Sequence, residues 1–203
     1  MKVALIGFTG RAGSRILAEL LRRGHTVTGV ARNVREVARR PGLEVRPADA
    51  RAVAQLAPLL AGHDAVISAS SFASSDPKAL IATAKQAGVP RLLVVGGAGT
   101  LEVAPGKALM DTPEFPDADK PEAIGGRAFL NVLRAEQELD WTFLSPAAEF
   151  APGLRTGRFR LGGEQLLADA DGRSWISMED FAIALVDELE APKHSRQRFT
   201  VGY

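Results

Sequence analysis

The chain has 203 residues, 46% of them apolar, which is enough for one well-filled domain and too few for two of ordinary size. Its 25 lysines and arginines balance 24 aspartates and glutamates, so a net charge of +1 offers no global field for nucleic acid or an acidic membrane surface. The lack of cysteine excludes disulfides, thiolate catalysis and cysteine-ligated metals, and the apolar run ahead of Gly7 is too short for a signal-peptide core, so a cytoplasmic protein without a membrane span is expected.

The first predicted element is a short strand, Lys2-Val3-Ala4-Leu5-Ile6, which runs into Gly7-Phe8-Thr9-Gly10-Arg11-Ala12-Gly13. Three glycines spaced three apart then open into Ser14-Arg15-Ile16-Leu17-Ala18-Glu19-Leu20-Leu21, whose apolar positions recur at helical spacing; the pattern is strand, tight turn, helix. Glycine lets the backbone turn sharply and approach a pyrophosphate, while a helix N-terminus offers unpaired N–H groups and partial positive charge. The ligand implied is a dinucleotide; the plainer alternative is a doubly wound domain whose first turn is only structural. The helix runs to Arg23 and stops at Gly24. A second strand, residues 25–31, ends at Ala31-Arg32-Asn33, where NAD-preferring sites carry a carboxylate for the ribose hydroxyls. A guanidinium in that place can grip a 2′-phosphate, so Arg32, helped by Arg35, points to NADP over NAD. The competing reading is a solvated charge in a stretch that also holds Arg39 and Arg40.

A third strand, 43–49, carries Asp49 at its C-terminal end, where Asp49 and Ala50 would border an adenine; Asp49 serves equally well as N-cap of the next helix, 51–60. The fourth strand, 65–69, leaves through small residues, Ser68, Ala69 and Ser70, that let a cofactor lie across the sheet edge. A helix at 79–87 is stopped by Gly88, and the continuous apolar run of 91–96 predicts a strand buried on both faces. Strands alternating with helices predict an α/β fold: a doubly wound parallel sheet with right-handed crossovers, forming a single dinucleotide-binding Rossmann domain with small C-terminal substrate-side elements.

Residues 97–120 hold several glycines and prolines and no helical or strand periodicity; they leave the ligand-facing end of the fifth strand and read as a substrate-side loop. A helix at 121–139, a strand at 141–144 and a loop at 145–150 follow. Alternation in 158–161 and 165–167 around Gly162-Gly163 predicts a β-hairpin. Ser177-Met178-Glu179-Asp180 resembles a capping box opening a helix with Phe181, Ala184, Leu185 and Leu189 on one face, and 198–201 closes the chain as a strand.

The side chains restrict the chemistry. A tyrosine acid paired with a lysine four residues later is impossible, because the only tyrosine is Tyr203. There is no GxSxG elbow and no histidine pair at metal-binding spacing; His25, His63 and His194 read as solvated or capping residues. Hydride transfer from a nicotinamide to a flavin or similar electron-poor acceptor needs little acid–base help and fits best. Backbone groups at Gly96 and Gly97, with Ala98, Thr100, Pro146, Ala147 and Glu149, would shape that pocket; Lys107, Lys120 and Asp111 are other ionisable candidates near it.

Taken together, the glycine turn, Ala31-Arg32-Asn33, Asp64-Ala65-Val66-Ile67-Ser68, Val94-Val95-Gly96-Gly97-Ala98-Gly99 and Leu144-Ser145-Pro146-Ala147 resemble the atypical short-chain dehydrogenases/reductases. The resemblance is to the NADH-flavin reductase family, related to biliverdin reductase B (flavin reductase) and NmrA-like proteins. It implies a cradle of Gly7, Thr9, Gly10, Arg11 and Ala12, with Arg32 at the 2′-phosphate, Asp49 and Ala50 near adenine, and Ser68, Ala69 and Ser70 along the ribose and diphosphate. It also implies that the serine and histidine beside the substrate in biliverdin reductase B correspond to Gly97 and Ala148, neither able to donate a side-chain proton. The expected protein is a monomer or homodimer that binds NADP, with FMN or FAD as a candidate substrate and no nucleic acid or membrane partner. A non-catalytic NmrA-like redox sensor is the alternative, and a nucleotide-sugar epimerase is disfavoured by the missing tyrosine.

Overall fold

The computed structural model of the chain describes residues 1–35 and 37–203. β1 (Lys2–Ile6) leads through the glycine turn to α1 (Arg11–Arg22), then β2 (Thr26–Ala31), β3 (Leu43–Pro47), α2 (Val53–Leu60), β4 (Ala65–Ser68), α3 (Pro77–Gln86) and β5 (Arg91–Val95). The remainder adds β6 (Glu102–Ala104), β7 (Lys107–Ala108), α4 (Lys120–Ala135), β8 (Asp140–Pro146), β9 (Glu149–Ala151), β10 (Arg160–Gly162), β11 (Trp175–Ser177), α5 (Met178–Glu190) and β12 (Gln197–Gly202).

The main sheet has the order β10-β12-β8-β5-β4-β1-β2-β3, parallel throughout except that β10 runs antiparallel to β12 at one edge. From β1 the chain moves outward through β2 and β3, then returns to β4 on the other side of β1. That reversal creates a crevice at the C-terminal ends of β1 and β4, the place where open α/β sheets bind ligands. Along β1, Val3 and Leu5 face one core with α1 and α5, while Ala4 and Ile6 face a second core with α2, α3 and α4. Burial on both faces is why β1, β4 and β5 read as unbroken apolar runs.

Several boundaries differ from expectation, each for a local reason. α1 starts at Arg11 rather than after Gly13, and Gly13 lies inside it because a Cβ there would stand 2.1 Å from the Gly7 carbonyl oxygen. Asp49 does not cap α2. Ala52 occupies the N-cap, while the Asp49 carboxylate accepts the Arg51 N–H at 2.9 Å and pairs with the Arg51 guanidinium. α3 begins at Pro77, capped by Asp76. α4 ends at Ala135, short of residue 139, where the Glu136 carboxylate turns the chain by accepting from the N–H groups of Glu138 and Leu139. Ser145 and Pro146 belong to β8, and Glu149 and Phe150 to β9, which pairs with β11; the expected loop at 145–150 is reduced to Ala147 and Ala148.

No hairpin joins 158–161 to 165–167. β10 pairs with β12, and Gln165 bridges to Glu102, since alternation marks a half-exposed strand without naming its partner. Ser177 caps α5 by accepting the Asp180 N–H at 3.0 Å, but the reciprocal half of the capping box is absent. The Asp180 carboxylate instead accepts from the N–H groups of Thr156 and Gly157 and from the Tyr203 hydroxyl at 2.7 Å. His25 and His63 are buried, not solvated: His25 bonds Glu190 and the N-terminal amine, and His63 bonds Leu60 and Thr28. Among the described residues no helix is long and apolar enough to cross a membrane, and no cluster of His, Asp and Glu could hold a metal.

Candidate functional site

Gly7 leaves β1 with φ of +79°, and its N–H donates to the Val30 carbonyl at 2.9 Å. A Cβ at Gly7 would sit 2.8 Å from the Ala69 oxygen, so the ends of β1 and β4 approach as closely as glycine permits. Gly10 caps α1 with no side-chain hydrogen bond, and the first turn of the helix carries no acidic residue. Ser14 is the first N–H with a helical partner, the Gly10 carbonyl. The amides of Arg11, Ala12 and Gly13 therefore have no intrahelical acceptor at the positive end of the helix. Gly10 itself is not demanded by the fold: φ is −72°, and a Cβ would come to 3.2 Å from the Gly7 oxygen, tight but not blocking. Leaving that position bare keeps the amides accessible to an anion.

Over this turn lies a cleft of about 400 Å³ lined by Gly7, Thr9 and Gly10, by Ala31, Arg32 and Asn33 after β2, by Asp49 and Ala50 after β3, and by Ala69 and Ser70 after β4. Arg32 is exposed at its edge and makes no ion pair among the described residues. Hydrogen bonds from the Arg51 side chain and backbone hold the Asp49 carboxyl down at about 2, so Asp49 is ionised and engaged with Arg51. Arg35 does not line the cleft. A bare helix end, a sharp glycine turn and an unpaired guanidinium form a donor set that fits a phosphate-bearing dinucleotide.

A larger cavity, about 820 Å³, opens beyond the ends of β5 and β8. Gly10 and Ser71 line the cleft while their chain neighbours Arg11 and Phe72 line the cavity, so the two spaces meet there. Phe72 stacks on Phe143, with ring centroids 5.9 Å apart and planes 15° apart, and meets Phe129 at 5.4 Å with the planes tilted by 59°. Gly125 and Gly126 of α4 make room for it, since a Cβ on either would come within 3.0 Å of Phe72. The Glu122 carboxylate ties α4 to the same turn by accepting from the Ser71 hydroxyl at 2.8 Å and the Phe72 N–H at 2.7 Å. The Thr100 hydroxyl accepts from the buried Arg198 guanidinium at 3.2 Å. Glu149 is paired with Arg173 at 2.8 Å.

Of the residues expected at the cofactor, the cleft gathers Gly7, Thr9, Gly10, Arg32, Asp49, Ala50, Ala69 and Ser70. Arg11, Gly96, Gly97 and Pro146 line the larger cavity instead, together with the expected substrate-side residues Ala98, Thr100, Ala147 and Glu149. Ser68 lines neither space, being buried in β4 opposite Ile6, and the Ala12 side chain lines neither. Lys107 lies in β7, Lys120 pairs with Asp117 and Asp111 with Arg127, so none of these three reaches the cavity.

Residues 97–120 are not without regular structure. They form the β6–β7 hairpin and two 3₁₀ turns, and they contribute Phe115, Glu114 and Asp119 to the cavity. The aromatic lining and Ser174 were missed in the sequence. Ser174 is brought in by the β9–β11 pairing, where its hydroxyl accepts the Ala148 N–H at 3.1 Å, a long-range contact with no local signal.

Residues 7–192 match the model of a family described as NAD(P)H-binding. Among solved structures, the chain is 49% identical to a "putative exported protein" from Burkholderia pseudomallei, with a TM-score of 0.91 and 100% of both chains covered. It is 44% identical to a "putative epimerase" from Bacteroides thetaiotaomicron, with a TM-score of 0.94 over 100% of this chain and 96% of that one. It is 36% identical to a "putative NADH-flavin reductase" from Streptococcus pneumoniae, with a TM-score of 0.86 over 100% of this chain and 99% of that one.

Proposed function

The chain belongs to the NAD(P)H-binding family, and on that premise we propose that it is an NADP-dependent reductase delivering hydride to a small ring acceptor such as a flavin or quinone. The observation that carries this reading is the junction of a bare helix N-terminus with an aromatic-lined cavity of acceptor size. Gly7, Thr9, Gly10 and the open amides of α1 would hold the diphosphate, Arg32 the 2′-phosphate, and Asp49 and Ala50 would border the adenine. When bound, the reduced nicotinamide supplies hydride, and solvent supplies the accompanying proton. The chain's own part is placement and exclusion of water, because no His, Tyr, Cys or Lys lines the cavity and, of its carboxylates, Glu122 and Glu149 are engaged while Glu114 and Asp119 are exposed to solvent. The name of the Streptococcus relative agrees with this reading.

The name of the Bacteroides relative fits less well. Epimerase chemistry in this fold class draws on a tyrosine, and here the single tyrosine, Tyr203, is bonded to Ser177 and Asp180 outside the cavity. A non-catalytic NADP sensor is the second reading, favoured by Gly97 and Ala148, which line the cavity without a proton to give. Anaerobic mixing with NADPH and a panel of flavins and quinones separates the two. Oxidation above the protein-free rate supports the reductase, and none, with equal affinity for NADP+ and NADPH, supports the sensor. We place the protein in the cytoplasm, where NADPH is regenerated; one relative is named as exported, and cell fractionation tests the assignment.

A further inference from the structure

We infer that Ser174 is the cavity's hydrogen-bond donor to the acceptor, its hydroxyl meeting the carbonyl oxygen of a ring acceptor as that oxygen gains charge, a role that rests on the reductase reading above. Four side chains with an N–H or O–H to offer line the larger cavity: Arg11, Thr100, Thr112 and Ser174. Arg11 is exposed, so its charge is screened by water. The Thr112 hydroxyl donates to the Leu109 carbonyl at 2.8 Å. The Thr100 oxygen is turned to the buried Arg198 guanidinium, and those two residues line a separate pocket together. Ser174 is half-buried, and its oxygen accepts the Ala148 N–H at 3.1 Å, which leaves the hydroxyl proton without an acceptor among the described residues.

The serine is held from both sides. Its carbonyl accepts the Glu149 N–H at 2.8 Å, and the next residue, Trp175, pairs with Glu149 in the β9–β11 ladder. The preceding residue, Arg173, bonds the Glu149 carboxylate through Nε at 3.0 Å and Nη2 at 2.8 Å and lies 4.6 Å over the Trp175 ring. The bond to Ala148 then sets the hydroxyl against the end of β8, where Pro146, Ala147 and Ala148 form the cavity wall. A donor fixed before the acceptor arrives stabilises developing charge with no reorganisation at the moment of reaction. Hydride from NADPH adds to the conjugated ring, the displaced electron pair comes to rest on the carbonyl oxygen, and a proton from solvent completes the reduced acceptor while NADPH becomes NADP+. Ser174 keeps its own proton and gives only the hydrogen bond.

Ser174→Ala, Ser174→Thr and Ser174→Asp, made in the full chain, separate this role from support of the Ala148 N–H. The first removes both functions, the second keeps both, and the third keeps an acceptor for the N–H but has no proton to donate when ionised. With NADPH and menadione, kcat should fall by about 10- to 100-fold in Ser174→Ala and Ser174→Asp and return to within about threefold of wild type in Ser174→Thr, with the KM for NADPH changed by less than about twofold. The second readout needs no turnover. 2-Hydroxy-1,4-naphthoquinone, an anion at neutral pH whose charged oxygen stands for the one formed by hydride addition, is titrated into protein saturated with NADP+, and its Kd should rise by about tenfold in Ser174→Ala and Ser174→Asp but not in Ser174→Thr. Wild-type affinity in Ser174→Ala, recovery in Ser174→Asp as full as in Ser174→Thr, or failure of the wild type to bind the anion each overturns the inference. Weakened binding in Ser174→Ala without turnover by any form keeps the inference and removes the reductase reading, whereas turnover untouched by Ser174→Ala does the reverse.

Discussion

Replacing Gly10 with alanine separates what the glycine turn does for the fold from what it does for a ligand. Gly10 has φ of −72° and ψ of 171°, a conformation open to any residue, and the added methyl would lie 3.2 Å from the Gly7 oxygen. Loss of unfolded-state freedom favours alanine by about 0.4–1 kcal/mol, and the tight contact offsets much of that, so net stability should move by less than about 1 kcal/mol. For a chain of this size that is a shift of about 2–4 °C in Tm.

Gly13→Ala provides the contrast. Its methyl would lie 2.1 Å from the Gly7 oxygen and 2.9 Å from the Gly7 carbonyl carbon, both backbone atoms that cannot swing aside. Overpacking of that kind costs about 1–3 kcal/mol or more. At Gly10 the cost should instead appear in binding. The methyl would stand at the N-cap, in the lining of the cleft through which a phosphate reaches the open amides of α1, and one charge-assisted hydrogen bond lost is about 1.5–3 kcal/mol, or at least about tenfold in Kd. Thermal melts and calorimetric titration with NADPH, run on both variants, decide the matter. Wild-type affinity in Gly10→Ala, or destabilisation equal to that of Gly13→Ala, would refute the reasoning.

Arg32→Ala should weaken NADPH by about 10- to 100-fold and NADH by less than about twofold, since only the former brings a 2′-phosphate to the guanidinium; equal losses in equilibrium titrations would overturn the choice of cofactor. Hydrogen bonds from Arg155 and then Arg23, working against burial, hold the Glu19 carboxyl down from 4.5 to about 2. Because its folded value lies below its unfolded one, Glu19 contributes stability above about pH 5 that is lost as pH falls toward 2, with an upper size of about 3 kcal/mol. Glu19→Gln should therefore flatten the fall in urea midpoint between pH 7 and pH 3, and parallel pH profiles for variant and wild type would contradict it. Tyr203→Phe removes hydroxyl bonds of 2.9 Å to Ser177 and 2.7 Å to Asp180. It should cost about 1–2 kcal/mol of stability with turnover unchanged, whereas lost turnover at an unchanged melting temperature would return tyrosine chemistry to the site.

The half of the molecule that builds the cleft was readable because its signals are local. Apolar strands, the glycines and the residue after β2 each act on neighbours within a few positions, and Gly7, Gly10, Arg32 and Asp49 converge as their spacing implied. Misreadings arose where a residue had two short-range partners to choose from. Asp49 engages Arg51 rather than capping α2, because its carboxylate reaches that backbone N–H and guanidinium together. The cavity was the less legible part. Phe72 and Phe143 meet across the sheet, Gly125 and Gly126 look like poor helix residues until Phe72 is seen to fill their side, and Ser174 arrives through a strand pairing 25 positions from Glu149 to Ser174 along the chain. Such contacts are set by packing of distant elements, for which periodicity carries no information.

The most direct measurement is calorimetric titration of NADPH into the purified chain. Heat that saturates at one coenzyme per chain in the wild type and is lost or strongly weakened in Gly10→Ala is the predicted result. No heat from NADPH, NADP+, NADH or NAD+ would contradict the claim that the open end of α1 holds a nicotinamide coenzyme.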